Sequence, residues 1–175
     1  FIIASPLNSD LNFPNYNIYS KTEKIIEEKV ISVDSLDGFS MLINIEKFPN
    51  KEFFDENFFL YLENDDLCLR VKKNRGNIYI IKNSLIDHLG AASSSINIDY
   101  LRNWHWMWSK FYFNKKHYGY VNAFIKIFFN LISAITKYLF YLFLFNTHKK
   151  KIYEMRVRGI LNAMLGKKSF YRIKN

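Results

Sequence analysis

Apolar and polar positions follow two different rhythms along this chain. Phe39, Met41, Ile43 and Ile45 alternate with Ser40, Leu42 and Asn44, the period of a strand with one face inward. Ahead of them, Val30, Ile31 and Val33 lead into Asp37-Gly38, a turn signal. Gly38 either closes a hairpin that needs positive φ or marks a place where the backbone passes close to something. Leu67, Cys68 and Val71 then take up the helical period. Acids fill the first turn of that helix, Arg70, Lys72, Lys73 and Arg75 its later turns, and Gly76 stands at the expected C′ position. Ile78 to Ile81 reads as a strand, Lys82 to Ser84 as a short turn, and a second apolar piece ends at Asp87-His88. Gly90 and the small residues 91–95 follow as a loop. Residues 1 to about 30 are polar, with Pro6 and Pro14, and read as loop with one helical turn or strand at KTEKIIEEK.

The second half changes character. Trp104, Trp106 and Trp108 recur at every second residue within RNWHWMWSKFYFNKKHYGY, so a strand would align them and a helix would scatter them. Aromatics interleaved with Lys, Arg and His fit a membrane–water boundary, with stacking on nucleic acid as the competing use. Residues 123–145 run 23 residues and would measure about 35 Å as a helix, enough to span a bilayer. Lys126, Asn130, Ser133 and Lys137 share one face of that helix. A polar seam with a broad apolar remainder describes a helix lying in the interface; spanning and packing as a soluble core helix are the other two readings. Lys149, Lys150 and Lys151 open a further amphipathic helix that ends near Gly166.

Composition sharpens the picture. With 175 residues, 49% hydrophobic and 18% aromatic, the chain is about one domain long and neither disordered nor collagen-like. Cys68 stands alone, which excludes an intrachain disulfide, a CxxC pair and a multi-cysteine zinc site and fits the reducing side of a membrane. The opening FIIASPLNSD lacks the basic start and apolar run of a signal peptide, so the expectation is a fragment or a chain whose start has been removed. The formal charge of +9 divides sharply. Residues 1–101 hold 10 Lys+Arg and 15 Asp+Glu, net −5; residues 102–175 hold 15 Lys+Arg and only Glu154, net +14. An acidic half suits metal or sugar chemistry, and a basic aromatic half suits an anionic surface.

FFDENFFLYLENDDLCLR carries the densest chemistry. An aromatic approach through Phe53, Phe54, Phe58, Phe59 and Tyr61 delivers Glu63, Asn64, Asp65 and Asp66 to a helix start. One reading is structural: Asn64 or Asp65 caps the helix and the other acids complement its dipole. The other is catalytic, because three carboxyl groups within four residues repel unless a cation, a hydroxylated ligand or water lies between them.

The ordered set DGFSMLI, FFDENFFLYLENDDLCLR, a Gly-preceded strand and DHLGAASS resembles the C-terminal part of family-2 inverting glycosyltransferases, the rhamnosyltransferase-like members above all. The resemblance runs from about residue 1 to 100. It implies an α/β architecture, the C-terminal part of a GT-A (nucleotide-diphospho-sugar transferase) fold built on a mostly parallel sheet, followed by amphipathic membrane-associated helices. Residues 1–101 would be the acceptor-side half, and 102–175 a basic aromatic membrane-association region.

In such enzymes a carboxylate deprotonates the acceptor hydroxyl, which attacks the anomeric carbon opposite the leaving nucleotide, while a divalent metal (Mg or Mn) sits on the diphosphate. By resemblance, Glu63 falls on the family's Glu, Asn64 on the usual catalytic Asp, and Asp66 on the later Asp. Asp66 matches best as the base, with Glu63 open. His88 falls on a histidine that reaches the metal or diphosphate, Asp37 and Gly38 on the loop lining donor and acceptor, and Phe59 and Tyr61 on positions able to stack on a sugar. No Asp-x-Asp metal motif in a strand context and no first βαβ unit are seen, so the nucleotide-binding half and most of the metal site are expected upstream. Expected partners are a nucleotide-sugar donor, a saccharide or lipid-linked acceptor and the membrane surface, without nucleic acid. The expected location is the cytoplasmic face of the inner membrane, peripheral or monotopic, in surface-polysaccharide synthesis. Two other functions compete: a non-catalytic membrane adaptor derived from such an enzyme, for which Asn64 speaks, and a basic nucleic-acid-binding module.

Overall fold

The computed structural model describes residues 2–8, 24–27, 30–48, 53–86 and 96–169. The chain divides into two compact units: residues 1–55 with 63–90, and residues 56–62 with 91–175. Among the described residues helix dominates, in four α-helices of 11, 23, 24 and 18 residues.

The first unit is a sheet with one helix. Strands β1 (Ile2–Asn8), β2 (Lys24–Glu27), β3 (Val30–Ser32), β4 (Leu42–Ile43) and β5 (Asn77–Ile86) lie in the order β2-β3-β5-β1-β4. Only β1 and β5 pair parallel; the other three described pairings are antiparallel. The described sheet is therefore mixed rather than mostly parallel. Helix α1 (Glu63–Lys73) buries Leu67, Cys68 and Val71 in a core with Val33, Leu36, Phe48 and Ile78, as its apolar stripe predicts.

Three local expectations are corrected. The strand expected over 39–45 shrinks to two residues, because Asn44 accepts a hydrogen bond from the Glu46 amide and starts a 3₁₀ turn at Ile45–Lys47, leaving Ile45 exposed. The turn at 82–84 is an irregularity inside one strand: Pro6 pairs with Ile81 and Leu7 with Leu85. At the end of α1 the left-handed residue is Arg75 (φ 58°), not Gly76. The Gly76 N–H reaches the Val71 carbonyl (2.8 Å) and the Arg75 N–H the Lys72 carbonyl (2.9 Å), a Schellman closure whose C′ position falls one residue early.

The second unit packs α2 (Ile96–Tyr118), α3 (Tyr120–Phe143) and α4 (Thr147–Met164) on one another. The charge boundary at 101 thus falls inside α2. Gly119, at φ 85°, is the single residue joining α2 to α3. Gly166, at φ 70°, ends α4 with its N–H on the Ala163 carbonyl (3.1 Å) while Lys167 reaches Asn162 (2.9 Å). The tryptophans are scattered around a helix, not aligned along a strand. Trp104 and Trp108, one turn apart, are each 3% exposed in a core with Met107, Phe111, Ala123, Ile127, Met155, Ile160 and Ala163, and Trp106 is partly buried against that core and edge-on to Tyr61. This core position replaces the membrane-boundary reading of Trp104 and Trp108.

Helices α2 and α4 touch at backbone level. A Cβ built on Gly159 would run into the Trp104 carbonyl oxygen and lie 3.4 Å from Met107 Cβ. Backbone cannot yield there as a side chain can. Gly159→Ala is expected to destabilise the helical unit by about 1–3 kcal/mol. All three tryptophans belong to α2, so intrinsic fluorescence during urea unfolding reads this unit directly; an unchanged midpoint would contradict the close approach.

Candidate functional site

The acid-rich start of α1 is held against the loop that follows β3. Asn64 Nδ2 donates to the Leu36 carbonyl at 2.6 Å, and Ser35 Oγ donates to Asp65 Oδ1 at 2.8 Å. Loop 35–38 and the first turn of α1 therefore form one cluster. Neither Asn64 nor Asp65 precedes the helix as a cap; both lie inside its first turn with their side chains bound to that loop. Tyr61 (φ 70°) and Leu62 (φ 66°), immediately before α1, both take the left-handed conformation that non-glycine residues rarely adopt, a strained entry into the acidic turn.

The four polar residues of the cluster have different environments. Asp66 is fully buried and pairs with Arg70, Oδ2 to Nε at 2.9 Å, and Arg70 also donates to the Phe53 carbonyl. The Arg70 guanidinium, held by that carboxylate, ties α1 to the segment before it. Burial pushes the Asp65 carboxyl above the ordinary carboxylate range; the Ser35 hydrogen bond opposes this and the negative Asp37 adds to it. Burial also raises the Cys68 thiol, against hydrogen bonding from Leu36 and Ser35, which keeps this 1%-exposed side chain a neutral core residue. Glu63 differs from the others: its Oε2 is buried with no hydrogen-bond partner, and it is the one such side-chain atom among the described residues. Buried acceptors are nearly always satisfied, so an orphan of this kind calls for an explanation.

Gly38 lies beside the acidic turn. Its φ is not in the left-handed region, and a Cβ there would lie 3.5 Å from Asn64 Cβ and 4.0 Å from Glu63 Oε1, ordinary contact distances. Neither a positive-φ hairpin nor steric exclusion of a side chain requires the glycine. Asp37, Gly38, Glu63 and Asn64 are thus neighbours in the fold. Phe59 and Tyr61 belong to the helical unit, where Phe59 lies against His105 (ring centroids 4.9 Å) and Tyr61 against Trp106 (5.4 Å). His88 lies outside the described residues.

Two features escaped the sequence reading. Ser35 bonds the acidic turn, yet nothing in Asp34-Ser35-Leu36-Asp37 distinguishes it from an ordinary turn serine. His105 and Ser169 form a buried pair, Nδ1 to Oγ at 2.8 Å, across 64 residues of sequence that no local spacing connects. Among the described residues no group of three or more His, Cys, Asp or Glu side chains is placed to hold a metal ion. The described donors alone do not make a divalent-cation site. Comparison with protein-family models, curated proteins and solved structures gives no match.

Because the folded Asp65 titrates above the unfolded chain, its contribution to stability is whole below the ordinary carboxylate range and is lost as pH rises through the raised folded value. Asp65→Asn keeps an oxygen that can accept from Ser35 and removes the buried charge. At neutral pH the variant should show slower amide exchange across α1 than the parent, with the gap closing below about pH 4. Equal exchange at neutral pH would show that the carboxylate is not penalised there.

Proposed function

We propose that this chain is the acceptor-side part of an inverting glycosyltransferase with a GT-A fold, and that Glu63 is its general base. The observation that carries the reading is the buried, unpartnered Glu63 Oε2 beside the Gly38 loop. An acceptor hydroxyl donating to that oxygen would satisfy it. The carboxylate would then take the proton as the hydroxyl oxygen bonds to the anomeric carbon and the bond from that carbon to the nucleoside diphosphate breaks. A sugar hydroxyl is too weak a nucleophile without such help, and base assistance of this kind is worth about 10²–10⁴ in rate.

Local chemistry supports Glu63 over Asp66. Asp66 has no exposure and is engaged by Arg70. Asn64 is an amide whose nitrogen is spent on Leu36. Asp37, in the facing loop, supplies an acceptor for a second sugar hydroxyl. On this reading the nucleotide, the Mg or Mn ion and the leaving diphosphate are held by an upstream half, with His88 contributing to the metal. The acceptor is a saccharide, a hydroxylated, lipid-linked glycan at the cytoplasmic face of the inner membrane. A second reading, a non-catalytic membrane adaptor, is favoured by the amide at position 64.

Transfer is to be assayed as nucleoside diphosphate release in the polypeptide that joins this chain to its nucleotide-binding half. Glu63→Gln should lower turnover by about 10²–10⁴ with an unchanged unfolding midpoint. Asp66→Asn should instead lower the midpoint, because it weakens a buried ion pair. Wild-type turnover in Glu63→Gln would remove the glutamate from the mechanism, and activity appearing only in Asn64→Asp would favour the adaptor.

A further inference from the structure

Helix α3 makes an unusual compromise. It presents small or medium residues, Ala123, Ile127 and Ala134, to its own unit and turns large apolar ones outward. Ile125, Phe129, Leu139 and Phe143 are 60%, 76%, 54% and 87% exposed. The outward face continues around the turn into α4, where Leu144 and Phe145 are 57% and 90% exposed. Monomeric soluble domains rarely expose a contiguous apolar surface of this kind.

Charge borders this surface. Lys126, Ser133 and Lys137 lie exposed along one flank of α3, beside the packed stripe, and Lys149, Lys150 and Lys151 open α4 just after the apolar turn. Residues 102–175 carry a single acid, Glu154, which is itself bound by Lys151 (3.1 Å) and Arg158 (2.6 Å). An occupant must therefore be apolar in its interior and anionic at its surface.

We infer that the α3–α4 hairpin docks on an anionic phospholipid bilayer, with the outer face of α3 and the turn Leu142–Phe145 sunk among the acyl chains and Lys149–Lys151 at the headgroups. Nucleic acid fits less well, because Trp104 and Trp108 are buried and much of the exposed face is aliphatic, which bases cannot stack on. By length and composition α3 is able to cross a membrane. The packing argues against crossing: α4 lies alongside it, with Tyr141 stacked on Tyr153 (5.6 Å) and Lys137 over the Tyr153 ring (5.5 Å). A spanning α3 would carry the lysines and arginines of α4 into hydrocarbon, which charged side chains resist. The hairpin lies in one leaflet. This inference stands on the helical unit alone and does not depend on the role of Glu63.

The experiment is flotation of the full chain with vesicles of phosphatidylcholine, with and without phosphatidylglycerol. Binding to the anionic vesicles should exceed binding to the neutral ones by about tenfold or more, and fall with added salt. Phe143→Asp with Phe145→Asp changes two of the most exposed side chains, so tryptophan fluorescence should stay native while binding drops by about tenfold or more. Replacing Lys149, Lys150 and Lys151 by Gln should erase the preference for anionic vesicles but leave weak neutral binding. Equal binding by parent and double variant would overturn the inference. So would a vesicle-indifferent chain that instead forms a stable dimer, or one that binds single-stranded RNA but no vesicle.

Discussion

The candidate site depends on one hydrogen bond, from the Asn64 amide to the Leu36 carbonyl. It fixes the first turn of α1 against the loop that carries Asp37 and Gly38, and with the Ser35–Asp65 bond it sets the distance at which Glu63 approaches that loop. A carboxylate at position 64 has no hydrogen to donate when ionised and would face the Leu36 oxygen with like polarity. The amide is therefore part of how this chain holds its acids in place. Catalytic competence, if it resides here, has to be assigned to a neighbour of position 64.

The acids of that turn divide their work by environment. Asp66 is committed to Arg70, Asp65 to Ser35, and Glu63 keeps an oxygen in reserve. Three carboxyl groups in four residues would be an expensive way to complement one helix dipole, since the effect is worth only about 0.3–1 kcal/mol per charge. The strained pair Tyr61 and Leu62 leads directly into this turn. An unsatisfied buried acceptor in this turn calls for an explanation that the helix dipole does not supply.

Much of this was legible from periodicity. The stripe Leu67, Cys68 and Val71 identified α1, with its acids first and its bases last, and the seam Lys126, Asn130, Ser133 and Lys137 marked one face of α3. The failures share a cause. The period-two pattern at Phe39–Ile45 was overridden by a local competitor, the Asn44 side chain, which captured the backbone for a 3₁₀ turn. The period-two tryptophans sit on a helix because burial of Trp104 and Trp108 against residues some fifty positions away outweighs any local preference. The same holds for the site: Asp37, Gly38 and Glu63 could be nominated one by one, but the Asn64–Leu36 bond that assembles them joins residues 28 apart, which no window along the chain contains.

The distribution of charge along the helices adds a physical reason for an anionic partner. In α1 the acids Glu63, Asp65 and Asp66 stand in the first turn and Arg70, Lys72 and Lys73 in the last; α2 begins with Asp99 and ends with Lys115, Lys116 and His117. Both obey the dipole. Helix α4 reverses the arrangement, with no acid in its first turn, no base in its last, and three lysines at its positive end. Asn146 satisfies the Lys149 amide there, but a neutral cap does not offset the charge. Docked as inferred, a helix that accepts this repulsion in solution would gain more than its neighbours when phosphate oxygens approach, because a headgroup would meet the lysines and the positive end of the helix together. The apolar turn at Leu142–Phe145 directly before those lysines gives the same surface its anchor, so the electrostatic and hydrophobic contributions act at one end of one hairpin.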